Sequence, residues 1–144
     1  MRRHEKLESF RFPSLLLIVL LSSSFTPAQT GRRCFVNEGL KDRHTVELTV
    51  SGSKVSGVYT VVRGYDESAA EKYQFTGTTR DGSHLQIKFE GKATPYEIPK
   101  GDRSIVWTLT RRGRAEVLKI RTYGKNYETN KYAAYVMELE PCRE

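Results

Sequence analysis

The stretch VELTVSGSKVSGVYTV, residues 46–61, decides the fold. Val46, Leu48 and Val50 alternate with Glu47 and Thr49, the two-residue period of a strand with one apolar face. Residues 51–54, Ser-Gly-Ser-Lys, are turn formers, after which Val55, Gly57, Tyr59 and Val61 resume the alternation. Setting Val50 opposite Val55 puts Leu48 opposite Gly57 and Val46 opposite Tyr59, so one register buries a whole face. A slip by one residue would turn that face to water. The stretch is an antiparallel hairpin.

The pattern repeats downstream. Tyr73, Phe75, Gly77 and Thr79 lead to Asp81-Gly82, and Leu85, Ile87 and Phe89 return. A three-residue loop through Asp81, Gly82 and Ser83 sets Phe75 against Phe89 and Gly77 against Ile87, whereas a two-residue turn would oppose Phe75 and Lys88; the longer loop is expected. Ile105, Trp107 and Leu109 then run to a turn at Arg112-Gly113, Glu116, Leu118 and Ile120 run back, and Ala133, Tyr135, Met137 and Leu139 follow. The simplest register layers Trp107 with Leu118 and Met137, and Ile105 with Ile120 and Tyr135. Lys119, Arg121, Glu138 and Glu140 are left on the outer face, where opposite charges pair across strands. Asp66 can cap one helical turn over residues 66–70, and helix is otherwise scarce. Seven or eight strands joined by short hairpins make an all-β, antiparallel up-and-down meander that closes into a small barrel, with a β-sandwich as the competing fold.

Residues 1–30 have the order of an export signal: Arg2, Arg3, Lys6 and Arg11, then the apolar run 15–21, then small and polar residues. Cleavage is expected after Ala28 or Thr30, and the apolar run is too short to span a bilayer. Residues 31–144 form one domain of ordinary size, with no segment apolar enough to cross a membrane. The whole chain carries 24 Lys and Arg against 17 Asp and Glu; discounting the leader's four and two leaves 20 against 15, so the net charge falls from +7 to +5. That mild balance disfavours nucleic acid as partner. The two cysteines, Cys34 and Cys142, bracket the domain, and in an exported chain such a pair is expected to form a disulfide. A secreted or periplasmic location follows from the leader.

No cofactor-binding, metal-ligating or catalytic motif occurs. His44 at a strand entrance and His84 after a turn lack a partner at metal-ligand spacing and are expected as surface histidines. Three features remain as candidate sites. The barrel interior, lined by Tyr59, Phe75, Phe89, Trp107 and Met137, would suit a small apolar ligand if Gly57 and Gly77 open a cavity rather than make room for the large rings. The loop with Tyr123, Lys125, Tyr127 and Lys131, Tyr127 being expected to be the most exposed of Tyr123, Tyr127, Tyr132 and Tyr135, and the basic tip with Arg111, Arg112 and Arg114 would suit a protein or an anionic component of the cell envelope.

The leader, the meander and the linked ends resemble the small exported calycin-type barrels, the lipocalin-like group, over most of the domain. The likeness is architectural: the Gly-x-Trp signature of lipocalins near the first strand is absent, and the single Trp107 lies late in the chain. Ligand carriage is what that resemblance implies. Bacterial lysozyme inhibitors are also small exported barrels, but a basic target enzyme calls for acidic loops, and this chain is basic. The expectation is a non-enzymatic binding protein for a small, partly apolar ligand, the alternative being a protein-interaction module or enzyme inhibitor acting through its basic or tyrosine-rich loops.

Overall fold

The computed structural model describes residues 31–39, 41–99, 105–126 and 128–143. The expected export signal, residues 1–30, and Tyr127 lie outside the described residues. Eight strands follow one another as β1 (Gly31–Glu38), β2 (Asp42–Ser51), β3 (Lys54–Arg63), β4 (Glu71–Thr79), β5 (His84–Phe89), β6 (Ile105–Arg112), β7 (Ala115–Asn126) and β8 (Lys131–Pro141). Each pairs antiparallel with the next, and β8 returns to β1, so the meander is a closed barrel of lipocalin-like architecture. Among the described residues the only helical element is a 3-10 turn, Glu67–Ala69, with Asp66 as its cap: the Asp66 carboxylate accepts the Ser68 N–H at 3.0 Å.

The opening stretch pairs as its apolar pattern requires, with Val50 opposite Val55, Leu48 opposite Gly57 and Val46 opposite Tyr59. The β4–β5 hairpin places Phe75 against Phe89 and Gly77 against Ile87, as the three-residue loop demands. The last three strands correct the expected layers. Trp107 pairs with Ile120 and Ile120 with Met137, while Leu118 lies between Leu109 and Leu139. The β6–β7 turn is Gly113-Arg114 rather than Arg112-Gly113, since Arg112 pairs with Ala115 and Gly113 takes φ +61°. Glycine at the first central position, also found at Gly52 (φ +59°), belongs to the type II′ hairpin, whose twist matches that of its strands. Moving the turn by one residue moves the register by two, which keeps every side chain on its face. The β7–β8 register differs from the expected one by two as well, so Tyr135 is not layered with Ile105 and Ile120; it pairs with Thr122 and is 54 % exposed.

The interior is filled by side chains. Phe35, Val46, Leu48, Tyr59, Phe75, Leu85, Trp107, Leu118, Ile120 and Leu139 are fully buried in one cluster. Gly57 and Gly77 make room for this packing rather than for a cavity. A methyl group at Gly57 would stand 2.1 Å from Glu47 O and 2.6 Å from Phe75 Cζ, and one at Gly77 2.2 Å from Gln86 O. Outside, Arg112 bridges Glu138 and Glu140, Lys119 reaches Glu138 at 3.2 Å, and Arg33 reaches Glu116 at 3.2 Å.

Closure is the barrel's weakest ladder. β1 and β8 pair at two positions only, Phe35 with Pro141 and Val36 with Glu140. The Cys34–Cys142 disulfide sits beside them, and Cys142 N–H donates to Cys34 O at 3.0 Å.

Candidate functional site

The five expected interior residues do not share one environment. Tyr59, Phe75, Phe89 and Trp107 form an aromatic cluster with ring centroids 4.8 to 6.3 Å apart, tilted or edge to face, the arrangement favoured by ring quadrupoles. They are core. Met137 is only partly buried and lines a recess in the wall. Sequence reading also missed the fifth ring of the cluster. Tyr96, in the β5–β6 connection, enters the mouth of the barrel, where its ring lies 5.7 Å from Tyr59 and its hydroxyl accepts the Trp107 indole N–H at 2.7 Å. The connection is tied down again where Tyr123 N–H donates to Glu97 O at 2.9 Å. Tyr96 plugs this end because a buried indole N–H needs an acceptor and the strands offer it none.

His44 is not a surface histidine. It is half-buried, and its Nδ1 shares a 3.1 Å hydrogen bond with the Tyr59 hydroxyl. Burial holds the imidazole below its ordinary pKa of 6.5, Asp42 opposing and Arg63 reinforcing the effect. Burial likewise pushes the Tyr59 phenol well above its usual range, with smaller contributions from Tyr96 and Tyr135. Tyr96 is raised by burial too. His84 is exposed as expected, but it has an acidic partner after all: Asp81, three residues earlier, whose carboxylate lies 2.7 Å from its Nδ1. No group of three or more His, Cys, Asp or Glu capable of holding a metal exists among the described residues.

The seam beside His44 is where the wall opens. Before Glu140, β8 keeps its β7 partner but has no ladder partner from β1 among the described residues. The Asn37 side chain donates to Glu138 O at 2.8 Å, replacing the next rung. Beyond it a recess of about 680 Å³ opens between the strands, lined by Asn37, Lys41, Asp42, His44, Tyr135 and Met137 among others. The upper halves of β7 and β8 continue past the barrel as a two-stranded arm. Its register opposes Tyr123 to Ala134, Lys125 to Tyr132 and Gly124 to Ala133. Tyr123 and Tyr132 stack, centroids 5.7 Å apart and planes 21° from parallel. Gly124 has no side chain because the Tyr135 ring occupies the space: a Cβ there would stand 2.9 Å from Tyr135 Cε1. Tyr132, Tyr135 and Val136 are 57, 54 and 56 % exposed on a stretch of β8 whose other edge has no strand partner among the described residues. Of the expected tyrosine-rich site, Tyr123, Lys125 and Lys131 lie on this arm, with Lys125 and Lys131 exposed, while Tyr127 is outside the described residues.

The expected arginine tip is divided. Arg112 is engaged by Glu138 and Glu140, while Arg111 and Arg114 form no ion pair among the described residues. No described helix is long and apolar enough to cross a membrane. In comparisons with known proteins, no family profile, no curated protein and no solved structure matches this chain.

Proposed function

We propose that this protein is an exported, non-enzymatic interaction module that binds an extended, acidic and apolar segment of a partner protein along the free edge of β8. The observation that carries this reading is the combination of a filled interior with an open seam. Fully buried Tyr59, Phe75 and Trp107 occupy the interior, which favours recognition on the outside. On the outside, a strand edge without a partner among the described residues offers backbone groups for an added strand, and alternate side chains of that strand supply specificity. The edge is flanked by exposed Tyr132, Tyr135 and Val136, residue types that supply contact area at interfaces. The recess beside it accepts one side chain of the incoming segment, and Lys41, Lys125 and Lys131 favour acidic neighbours.

The test is to pan a displayed random-peptide library against the oxidised domain and to map the selected peptides by amide hydrogen exchange. Enriched peptides alternate apolar and acidic residues and protect β8 amides from 131 to 138, and Val136→Lys abolishes their binding. Protection confined to other strands, or binding untouched by Val136→Lys, overturns the reading. Native mass spectrometry of the protein from its own compartment addresses the alternative: a co-purified small apolar molecule would restore the carrier reading.

A further inference from the structure

The barrel register gathers three hairpin tips at the end opposite the seam: residues 52–53 between β2 and β3, 80–83 between β4 and β5, and 113–114 between β6 and β7. Two backbone bonds set them side by side. Thr79 N–H donates to Ser53 O at 2.9 Å, and Leu109 N–H donates to Ser83 O at 2.7 Å. Lys54, Arg80, Arg111 and Arg114 stand on or next to these tips, all exposed and none in an ion pair among the described residues. The acid that shares the rim, Asp81, is committed locally: its carboxylate accepts the N–H of Ser83 and of His84 at 2.9 and 2.8 Å and meets the His84 ring. The rim therefore presents four exposed cations in no ion pair among the described residues, contributed by three separate hairpins, which no single stretch of sequence displays.

We infer that this end of the barrel docks on an anionic phospholipid surface. The rest of the rim is Gly52, Ser53, Gly82, Ser83 and Gly113, which are small and carry no apolar anchor. Such a surface lacks the desolvated centre on which protein interfaces depend. It also lacks the aromatic platform that single-stranded nucleic acids stack upon; among the described residues the exposed tyrosines are Tyr65, in the β3–β4 connection, and Tyr132 and Tyr135, on the arm, all at the other end. What a ring of cations without depth does match is a plane of phosphates, to which the arginine fork bonds bidentately. Each cation near such a surface strengthens partitioning about fivefold, so four give at most several hundredfold, reversible by salt. Docked by this rim, the protein would hold the β8 arm away from the bilayer.

Sedimentation of the oxidised domain with vesicles of phosphatidylcholine, with and without about one third phosphatidylglycerol, tests the inference. Expected is binding to the anionic vesicles alone, lost as salt rises from about 50 to about 200 mM. The triple variant Arg80→Gln/Arg111→Gln/Arg114→Gln should weaken partitioning roughly a hundredfold. All three side chains are exposed, so an unchanged circular dichroism spectrum accompanies that loss. Lys72→Gln/Lys92→Gln, at the opposite end, leaves vesicle binding unchanged. Equal binding to neutral vesicles, equal loss in the Lys72/Lys92 variant, or binding to heparin without binding to vesicles each overturns it, and none of these bears on peptide recognition at β8.

Discussion

Replacing both cysteines, Cys34→Ala/Cys142→Ala, tests the closure of the barrel most directly. The bond spans a sequence separation of 108 residues, and in the loop-entropy relation a loop of that length costs about 16 cal/mol/K, or about 4.8 kcal/mol at 25 °C. Domains of this size are stable by about 5 to 15 kcal/mol, so the variant is left near the threshold of folding. Among the described residues the seam otherwise holds only two paired positions and two hydrogen bonds, Asn37 to Glu138 O and Cys142 N–H to Cys34 O, too few to make up the loss. The assay is urea unfolding of the oxidised wild type and the variant with linear extrapolation. At a slope near about 1.5 kcal/mol/M the midpoint should fall by about 3 M. A fall of less than about 1 M would refute the reasoning, since it would mean that the two-position ladder closes the barrel unaided.

Three further outcomes follow from the packing and the titrating groups. Gly57→Ala should destabilise by about 1 to 3 kcal/mol through the clash with Glu47 O and Phe75, while Gly31→Ala, with no atom within 4 Å of the new methyl, should be neutral; paired denaturation curves check both. Tyr96→Phe keeps the ring but strands the Trp107 indole N–H, a cost of about 1 to 3 kcal/mol, and tryptophan fluorescence should report the altered environment in the folded state. His44 is held below its ordinary 6.5, so between its folded and unfolded values the unfolded chain binds more protons. Stability is therefore full above about pH 6.5 and declines as pH falls through the folded value, and His44→Gln should flatten that decline in thermal melts measured from pH 7.5 to 5.

Strand order and facing were legible because the apolar residues of this chain keep a strict two-residue period, and a period fixes which side of a strand is wet. Register was legible where bulk decided it, as with Phe75 against Phe89. It slipped by two at β6–β7 because Trp107 opposite Leu118 and Trp107 opposite Ile120 are both apolar pairs; the left-handed Gly113 settles the choice, and a turn's internal order is weakly written in its composition. Tyr96 was invisible for another reason: it lies in a segment with no alternation, and its partner Trp107 is eleven residues away. The seam could not be read at all. β8 carries a continuous apolar run, Tyr132 to Met137, ahead of the alternating Glu138-Leu139-Glu140, and such a run does not say at which residue the β1 neighbour stops. The cationic rim was hidden in the same way, since Lys54, Arg80 and Arg111 are strangers in sequence and meet only through the hairpin register.

The two-position ladder between β1 and β8 also bears on the order in which the barrel assembles. Seven of its eight pairings join neighbours in the chain, each closing a short loop at small entropic cost. The eighth joins the ends of the domain, where the loop is longest and the hydrogen-bonded reward smallest. Curled but unclosed, the sheet would expose two edges at once, a state that invites association with other chains. The Cys34–Cys142 bond joins β1 to the end of β8 and covers the edges there, leaving the β8 edge before Glu140 as the open one among the described residues; a chain kept reduced would rely on the short ladder to hold its ends together.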